Sequence, residues 1–167
     1  MAFAMKRLAL FTALAAALSA GGCGSSSDGE GSVSATIGGV TWRAPGRGFI
    51  VADAAGMTSF DLLGSTPMPG SDLIDSSKPV LTIVFPSGVP APGTYAIDGV
   101  TVNVEYQVDT NTFYSGSNGS IQIASISKSR AQGAFDFELD SPVNDPMELT
   151  VTDGAFDVPV SASGDGP

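Results

Sequence analysis

Three carboxylates alternate with apolar residues near the end of the chain, in a spacing that could bind a metal or perform acid–base chemistry. They are Asp136, Glu138 and Asp140 in GAFDFELD. On a strand they share one face, and alternate residues lie about 6.6–7 Å apart, so all three cannot bind one ion. Calcium would need further oxygen ligands, and a glycosidase-like pair would need an acid in an apolar pocket. A solvated acidic face needs neither further ligands nor an apolar pocket. We therefore predict that these three carboxylates form such a face.

Two loop segments resemble known sites but are predicted to be turns. Asp109-Thr110-Asn111 begins like the D-x-N of a calcium loop, but the continuation TFYSGSNG lacks the terminal Glu and the Gly spacing. An Asx-type hairpin turn is therefore predicted there. Asn144-Asp145-Pro146 and the sequon Asn118-Gly119-Ser120 are also predicted to be turns.

The aromatic residues are mostly expected in the core. Trp42 follows Gly39 in a spacing one residue away from the G-x-W of lipocalins, and a core Trp that closes one end of a barrel or sandwich is expected instead. Tyr106 shares the apolar face of its strand. Tyr95 and Tyr114 lie near loops, so a sugar-stacking role stays open for them.

Composition excludes several kinds of chemistry. The chain has 167 residues, no His and one Cys, so it has no Ser-His-Asp or Cys-His nucleophile, no His-ligated zinc and no internal disulfide. Its net charge of −10 argues against binding nucleic acid or an anionic membrane by electrostatics. We predict no enzyme activity, no catalytic residue, no cofactor and no metal site.

The N-terminal segment reads as an export signal. Lys6 and Arg7 precede an apolar run of eleven residues, Leu8–Leu18, which small residues follow. This run is too short to span a bilayer as a helix, which needs about 20 residues. Residues 1–22 are therefore predicted to be a signal peptide.

Cys23 directly follows these small residues, in the stretch LSAGGC. This stretch resembles the lipobox of bacterial lipoproteins, although Ala20 stands where the family usually has Leu. The resemblance implies a thioether-linked diacylglycerol on Cys23, cleavage before it, and membrane anchoring by two or three acyl chains. Gly24 after the cysteine implies the outer membrane under the sorting rule of enteric-type bacteria. An ordinary secretory signal with an incidental Cys is the alternative.

The segment after the cysteine separates the anchor from the folded domain. Residues 23–32 are rich in Gly, Ser and acids and are predicted to be a lipidated flexible tether. Removal of residues 1–22 leaves five basic residues against seventeen acidic ones, a net charge of −12.

Residues 33–161 are predicted to form a single all-β domain, with a disordered tail at 162–167. Short alternating runs separated by Gly, Pro, Asn and Asp indicate about nine or ten strands in consecutive hairpins. The predicted fold is an antiparallel β-sandwich or a flattened barrel. Gly38-Gly39 is a predicted hairpin turn, and Asp153-Gly154 is predicted to turn a last hairpin.

The hairpin of GSIQIASI and GAFDFELD allows a prediction of register. Pairing Ile121 with Leu139 and Ile123 with Phe137 places the apolar side chains on one face and the acids on the other. Ile126 breaks the alternation, which indicates a bulge.

Residues 33–160 resemble a family of bacterial lipoproteins of unknown function. The similarity is carried by AtIgGvtWrA, FPSGVPAPGTYAID and ELTVTDGAFDVPV, in which turn glycines and core aromatics recur. It implies an all-β envelope domain and no catalytic residue.

The expected function is that of a lipid-anchored, non-enzymatic cell-envelope protein in a binding or structural role. Its expected partners are the membrane, through Cys23, and an unidentified protein or carbohydrate, and not nucleic acid. Two alternatives stay open: a lipocalin-like carrier with an apolar lumen, and a calcium-dependent carbohydrate-binding or adhesion module.

Overall fold

The computed structural model describes residues 31–52, 56–70, 73–141 and 148–162. These residues contain nine strands and no helix, so no described helix is long and apolar enough to cross a membrane. In chain order the strands are β1 (Gly31–Ile37), β2 (Val40–Ala52), β3 (Thr58–Gly64), β4 (Val80–Phe85), β5 (Gly93–Ala96), β6 (Asn103–Gln107), β7 (Phe113–Ile126), β8 (Arg130–Asp140) and β9 (Leu149–Ala162). The predicted all-β class is confirmed.

Eight of the strands close into a barrel. Each of β1, β2, β3, β4, β6, β7, β8 and β9 pairs with the next in an antiparallel ladder, and β9 pairs back with β1. The remaining strand, β5, follows β6 along β7: β6 pairs with the first part of β7 and β5 with its second half. The predicted alternative of a barrel is therefore the observed one, and two separately packed sheets are not seen in the described residues.

The two ends of the barrel carry different connections. The near end is the end at which β1 begins; it also carries the β2–β3, β4–β5 and β7–β8 connections and the end of β9. The β5–β6 connection joins two strands that both run antiparallel to β7, and it lies beside the middle of β7, where the Ile97 N–H donates to the Gly119 carbonyl over 3.1 Å. The far end carries the β1–β2, β3–β4, β6–β7 and β8–β9 connections. Because β1 starts at Gly31, Gly31 and Ser32 lie in the strand rather than in the predicted tether.

The first hairpin forms where the sequence predicts it. Gly38 and Gly39 both have positive φ, at 55° and 81°, as a two-residue turn that follows the strand twist requires. Ile37 pairs with Val40 across this turn.

The predicted register of β7 and β8 is wrong by four residues. Ile121 lies opposite Phe135 rather than Leu139, and Ile123 lies opposite Gly133. The reason is a tighter turn than the predicted Ser127–Gln132, since the Ser127 N–H donates to the Arg130 carbonyl over 2.8 Å. A shift by an even number preserves the inner and outer faces. The predicted bulge is present, because the register shifts between Ile123 and Ser125.

Two predicted turns lie inside continuous strands. The predicted hairpin at Asp153-Gly154 is wrong: Asp153 has φ 54°, but the two residues form a bulge in β9, and the Asp153 N–H donates to Asp136 Oδ1 over 3.0 Å. An Asp-Gly pair supplies the left-handed backbone that either a turn or a bulge needs. The predicted turn at Asn118–Ser120 is likewise a bulged part of β7, where Gly119 has φ 135°.

The barrel interior is filled by side chains. At the centre of the β8–β9 ladder, Gly133 lies opposite Phe156, and Phe135 lies opposite Gly154, so each ring covers a glycine. A β-carbon on Gly133 would lie 2.5 Å from the Phe156 ring. Inner-facing glycines elsewhere are equally enclosed: a β-carbon on Gly46 would lie 2.6 Å from Val158 Cγ1. Even the smallest inner positions therefore have no room for a methyl group.

Candidate functional site

The strand register aligns four polar residues across the outer wall. Thr82 pairs with Glu105, Glu105 with Ser115, and Ser115 with Asp140, so one row crosses β4, β6, β7 and β8. All four alternate with buried residues and face outward. Neighbouring strands lie about 4.8 Å apart, which places the side chain of Ser115 between those of Glu105 and Asp140.

A groove of about 450 Å³ lies along part of this row. It is lined by Thr82, Val84, Gly99, Asn103, Val104, Glu105, Ser115 and Gly116. Its walls present two hydroxyls, an amide and a carboxylate around the apolar Val84. No lysine or arginine lines it, so its charge is that of Glu105.

Glu105 differs from the other outward carboxylates in its contacts. Within the described part of the chain its carboxylate has neither a hydrogen-bond partner nor an ion pair, whereas Glu138 accepts a hydrogen bond from Asn118 Nδ2 over 3.1 Å. Asp136 accepts one from the Asp153 N–H. The acceptor atoms of Glu105 are therefore open to a ligand.

The β5–β6 connection shapes the edge of the groove. Asp98 accepts hydrogen bonds from the Val100 and Thr101 N–H groups over 2.9 and 2.6 Å, and from Thr101 Oγ1 over 3.0 Å. These bonds, led by that from the Thr101 backbone, hold the pKa of Asp98 below its usual value. The turn places Gly99 close to Asn103: a β-carbon on Gly99 would lie 3.9 Å from Asn103 Oδ1.

The acids of β8 have different partners. Asp136 and Glu138 bind groups of the neighbouring strands, and no cluster of three potential metal ligands occurs among residues 31–52, 56–70, 73–141 and 148–162. Asp140 joins the row of Glu105 instead. These two carboxylates are exposed, and neither lies in the apolar pocket that a glycosidase-like acid requires.

Asp109 has the predicted turn role. Its Oδ1 accepts hydrogen bonds from the N–H groups of Asn111 and Thr112 over 2.8 and 3.0 Å. The bond from Asn111 is the largest cause of the lowered pKa of Asp109. This is the Asx turn that the sequence indicates. The predicted turn at residues 144–146 lies outside the described residues.

The aromatic residues do not form one stacking platform. Tyr95 lies in β5. Its ring packs edge-on against Phe85, with ring centroids 5.3 Å apart. Its hydroxyl donates to the Ala91 carbonyl over 2.7 Å. Tyr106 and Tyr114 are buried toward the far end, with ring centroids 6.5 Å apart. Burial raises the pKa of Tyr106, with a smaller contribution from Tyr114.

Trp42 helps to close the far end. It is half-buried and meets Tyr106 edge-on, with ring centroids 6.2 Å apart. A β-carbon on Gly64 would lie 2.8 Å from its ring, so the absence of a side chain there makes room for the indole. This is the packing role expected from the sequence.

The groove is the feature that sequence reasoning missed. Alternation along VTVNVEYQV correctly places Asn103 and Glu105 outward. It contains no information about which strands flank β6, and that order brings Thr82 and Ser115 beside Glu105. The predicted lipidation site, Cys23, lies outside the described residues.

Comparison with protein-family models, with curated proteins and with solved structures found no match to this chain in any of the three. The resemblance of residues 33–160 to a lipoprotein family therefore stays a prediction.

Proposed function

We propose that this protein is a lipid-anchored component of the bacterial cell envelope, attached to the outer membrane through Cys23. The observation that carries the proposal is the stretch LSAGGC after a charged and apolar leader, followed after seven further residues by the first strand of a barrel. The anchor and the domain are thus separate parts of one chain. The barrel is the part of the chain that acts at the membrane.

We further propose that this role is binding rather than catalysis. The groove combines hydroxyl, amide and carboxylate groups with an apolar wall, a set that suits a ligand rich in hydroxyl or amide groups. Glu105 is its main acceptor. A protein or carbohydrate of the envelope fits this chemistry, whereas a phosphate-rich ligand would meet an uncompensated negative charge.

One feature of the barrel supports the lipocalin-like carrier alternative, and another argues against it. A closed eight-stranded barrel is the architecture of such carriers. An apolar ligand would need an interior cavity of at least about 300 Å³. The enclosed glycines Gly46, Gly64 and Gly133 weigh against that space, since their missing side chains leave no gap.

The anchor is tested by growing cells that express the full chain on a clickable palmitate analogue. The wild-type protein is expected to carry the label and to stay with the membrane fraction. Cys23→Ala is expected to lose both properties, because it removes the thiol that forms the thioether. The matched control Ser25→Ala, two residues away, should keep both. An unlabelled wild-type chain would overturn the proposal.

A further inference from the structure

We propose that the groove beside Glu105 continues past Val84 into a second depression, and that the two together bind an extended peptide segment of a partner protein. In this segment a basic residue occupies the groove and an apolar residue occupies the second depression. The inference rests on the proposed binding role of the groove and names the class of its ligand.

The second depression lies on the same outer wall and has a volume of about 200 Å³. It is lined by Val51, Met57, Thr58, Ser59, Val84 and Pro86. Val84 also lines the groove, so its side chain stands between the two depressions. Met57, 67% exposed, lies with Val51 and Pro86 at the side away from Glu105 and makes the second depression mainly apolar. A ligand that crosses Val84 therefore passes from polar to apolar surroundings.

The strand register gives the length of a ligand that reaches both depressions. Glu105 pairs with Thr82, and Pro86 follows Thr82 by four residues, which is about 13 Å along the strands. Val51 lies on β2, three strand spacings from Glu105 on β6, so its separation from Glu105 is about 20 Å. An extended peptide covers the distances to Pro86 and Val51, about 14–20 Å, with about four to six residues.

The groove lies where β7 changes its partner. The ladder between β6 and β7 ends at Ser115, and the ladder between β5 and β7 begins at Ser120. In the described chain no ladder pair joins residues 116–118 to either of these strands, and Gly116 lines the groove. An extended peptide carries backbone donors and acceptors that suit such a stretch of strand.

The lining residues favour a peptide over a carbohydrate. Neither depression is lined by an aromatic ring, the kind of surface on which the apolar face of a sugar packs. Tyr95 packs against Phe85 instead, and Tyr106 and Tyr114 are buried. The second depression suits an aliphatic side chain of the ligand.

Charge favours a basic residue at the polar end. Residues 58–126, which contain β3 to β7, have one basic residue against six acids. These are Lys78 against Asp61, Asp72, Asp75, Asp98, Glu105 and Asp109. Along the row of Glu105, the next acid is Asp140, and the basic residue Arg47 lies three strands away, at about 14 Å. A Lys or Arg side chain of the ligand complements this wall and can donate to the open carboxylate of Glu105.

Synthetic peptides test the shared site on the full chain. One parent probe is an acetylated and amidated hexapeptide with Lys first and Leu last, separated by Ser-Gly-Ser-Gly, and a second parent has the reverse order. For each parent, one control peptide has Gln in place of Lys, and another has Ser in place of Leu. Amide chemical shifts of the isotope-labelled full chain are recorded with each peptide.

At least one parent peptide is expected to shift both depressions together. The groove is reported by Asn103 and Ser115, and the second depression by Val51 and Ser59. Each control peptide is expected to bind about tenfold more weakly, because it loses a hydrogen bond to a charged group or a buried apolar side chain.

Met57→Ser tests the apolar end from the side of the protein. It is expected to weaken the parent peptide about tenfold, and to leave the affinity of the control peptide without Leu unchanged, because that peptide places no apolar group there. Met68→Ser is the matched control and should bind the parent as the wild type does. Met68 is 41% exposed, lies in the β3–β4 connection and lines neither depression.

The outcomes separate this inference from the proposed binding role of the groove. Shifts confined to the groove, or equal affinity of wild type and Met57→Ser for the parent, would overturn the extended site and leave the groove as a binding site. Binding of neutral oligosaccharides without binding of any peptide would do the same. Equal affinity for the Lys and Gln peptides would refute the basic residue. If neither peptides nor oligosaccharides shift the groove, both proposals fail.

Discussion

Two glutamates of the same barrel differ in what their carboxylates can do. Glu138 in β8 and Glu105 in β6 both face outward. The Asn118 amide donates to Glu138, whereas Glu105 borders the groove beside Ser115 without a hydrogen bond in the described chain. Both residues are glutamates, and both alternate with buried residues along their strands. Their neighbours, supplied by other strands, make only Glu105 a candidate ligand-binding residue.

The groove predicts a selective effect of Glu105→Gln. Amide chemical shifts of the isotope-labelled chain are recorded with neutral oligosaccharides and uncharged peptides as probes. Bound probes should shift Thr82, Asn103 and Ser115. Glu105→Gln should weaken that binding about 10- to 100-fold, since a hydrogen bond to a charged group contributes about 1.5–3 kcal/mol.

Glu138→Gln is the matched control, since it makes the same chemical change outside the groove. An equal loss of affinity in the two variants would point to overall charge rather than to the groove. Shifts confined to other surfaces would contradict the site.

At the scale of strands, β8 and β9 are held together by complementary volumes. Phe135 and Phe156 each cover a glycine of the opposite strand. Alternation in GAFDFELD indicates which side chains enter the core, and burial of Phe135, Phe137 and Leu139 agrees with it. The match between a ring and its glycine depends on register, and the register depends on the Ser127 turn and on the bulge at Asp153.

Gly133→Ala is expected to destabilise the barrel by about 1–3 kcal/mol or more, as overpacking of a filled core does. Its methyl group would meet the Gln122 carbonyl and the Phe156 ring. Urea unfolding, followed by circular dichroism, measures the change in free energy.

Gly93→Ala in β5 is the control for this prediction. A β-carbon there finds its nearest neighbour at 3.9 Å, in ordinary contact with Tyr95, so its effect should stay within about 0.5 kcal/mol. Equal free energies of unfolding for the two variants would show that the interior has more room than the structure indicates.

At the scale of the whole molecule, closure and charge determine the character of the surface. The return of β9 to β1 removes both edges of an eight-stranded sheet and places the polar alternation of every strand outside. Acids dominate this outer surface, and the described ones are spread over several strands and turns rather than gathered around one point. Among the described residues the negative charge is therefore spread over the surface, and so is the repulsion between these acids.

Calcium should therefore act on this protein only as an electrolyte. Millimolar calcium chloride is expected to change the melting temperature no more than sodium chloride at the same ionic strength, because both only screen dispersed charges. A further, saturable rise with calcium alone would indicate a bound ion that stabilises the folded state. That result would restore the calcium-dependent adhesion alternative.

The sequence by itself determined the all-β class, the inner and outer faces of β6, β7 and β8, the Gly38-Gly39 hairpin and the Asx turn at Asp109. These features depend on a two-residue period or on a few adjacent residues, which one chain segment contains in full. It also carries the prediction of a lipid on Cys23.

Only the tertiary structure decided the closure of the barrel, the register of β7 with β8, and the row that brings Glu105 beside Ser115. Pairing between distant strands has no local signature, and a slip by an even number of residues leaves the same side chains inside. The identity of neighbours across the wall, and with it the groove, arises from contacts that no single segment specifies.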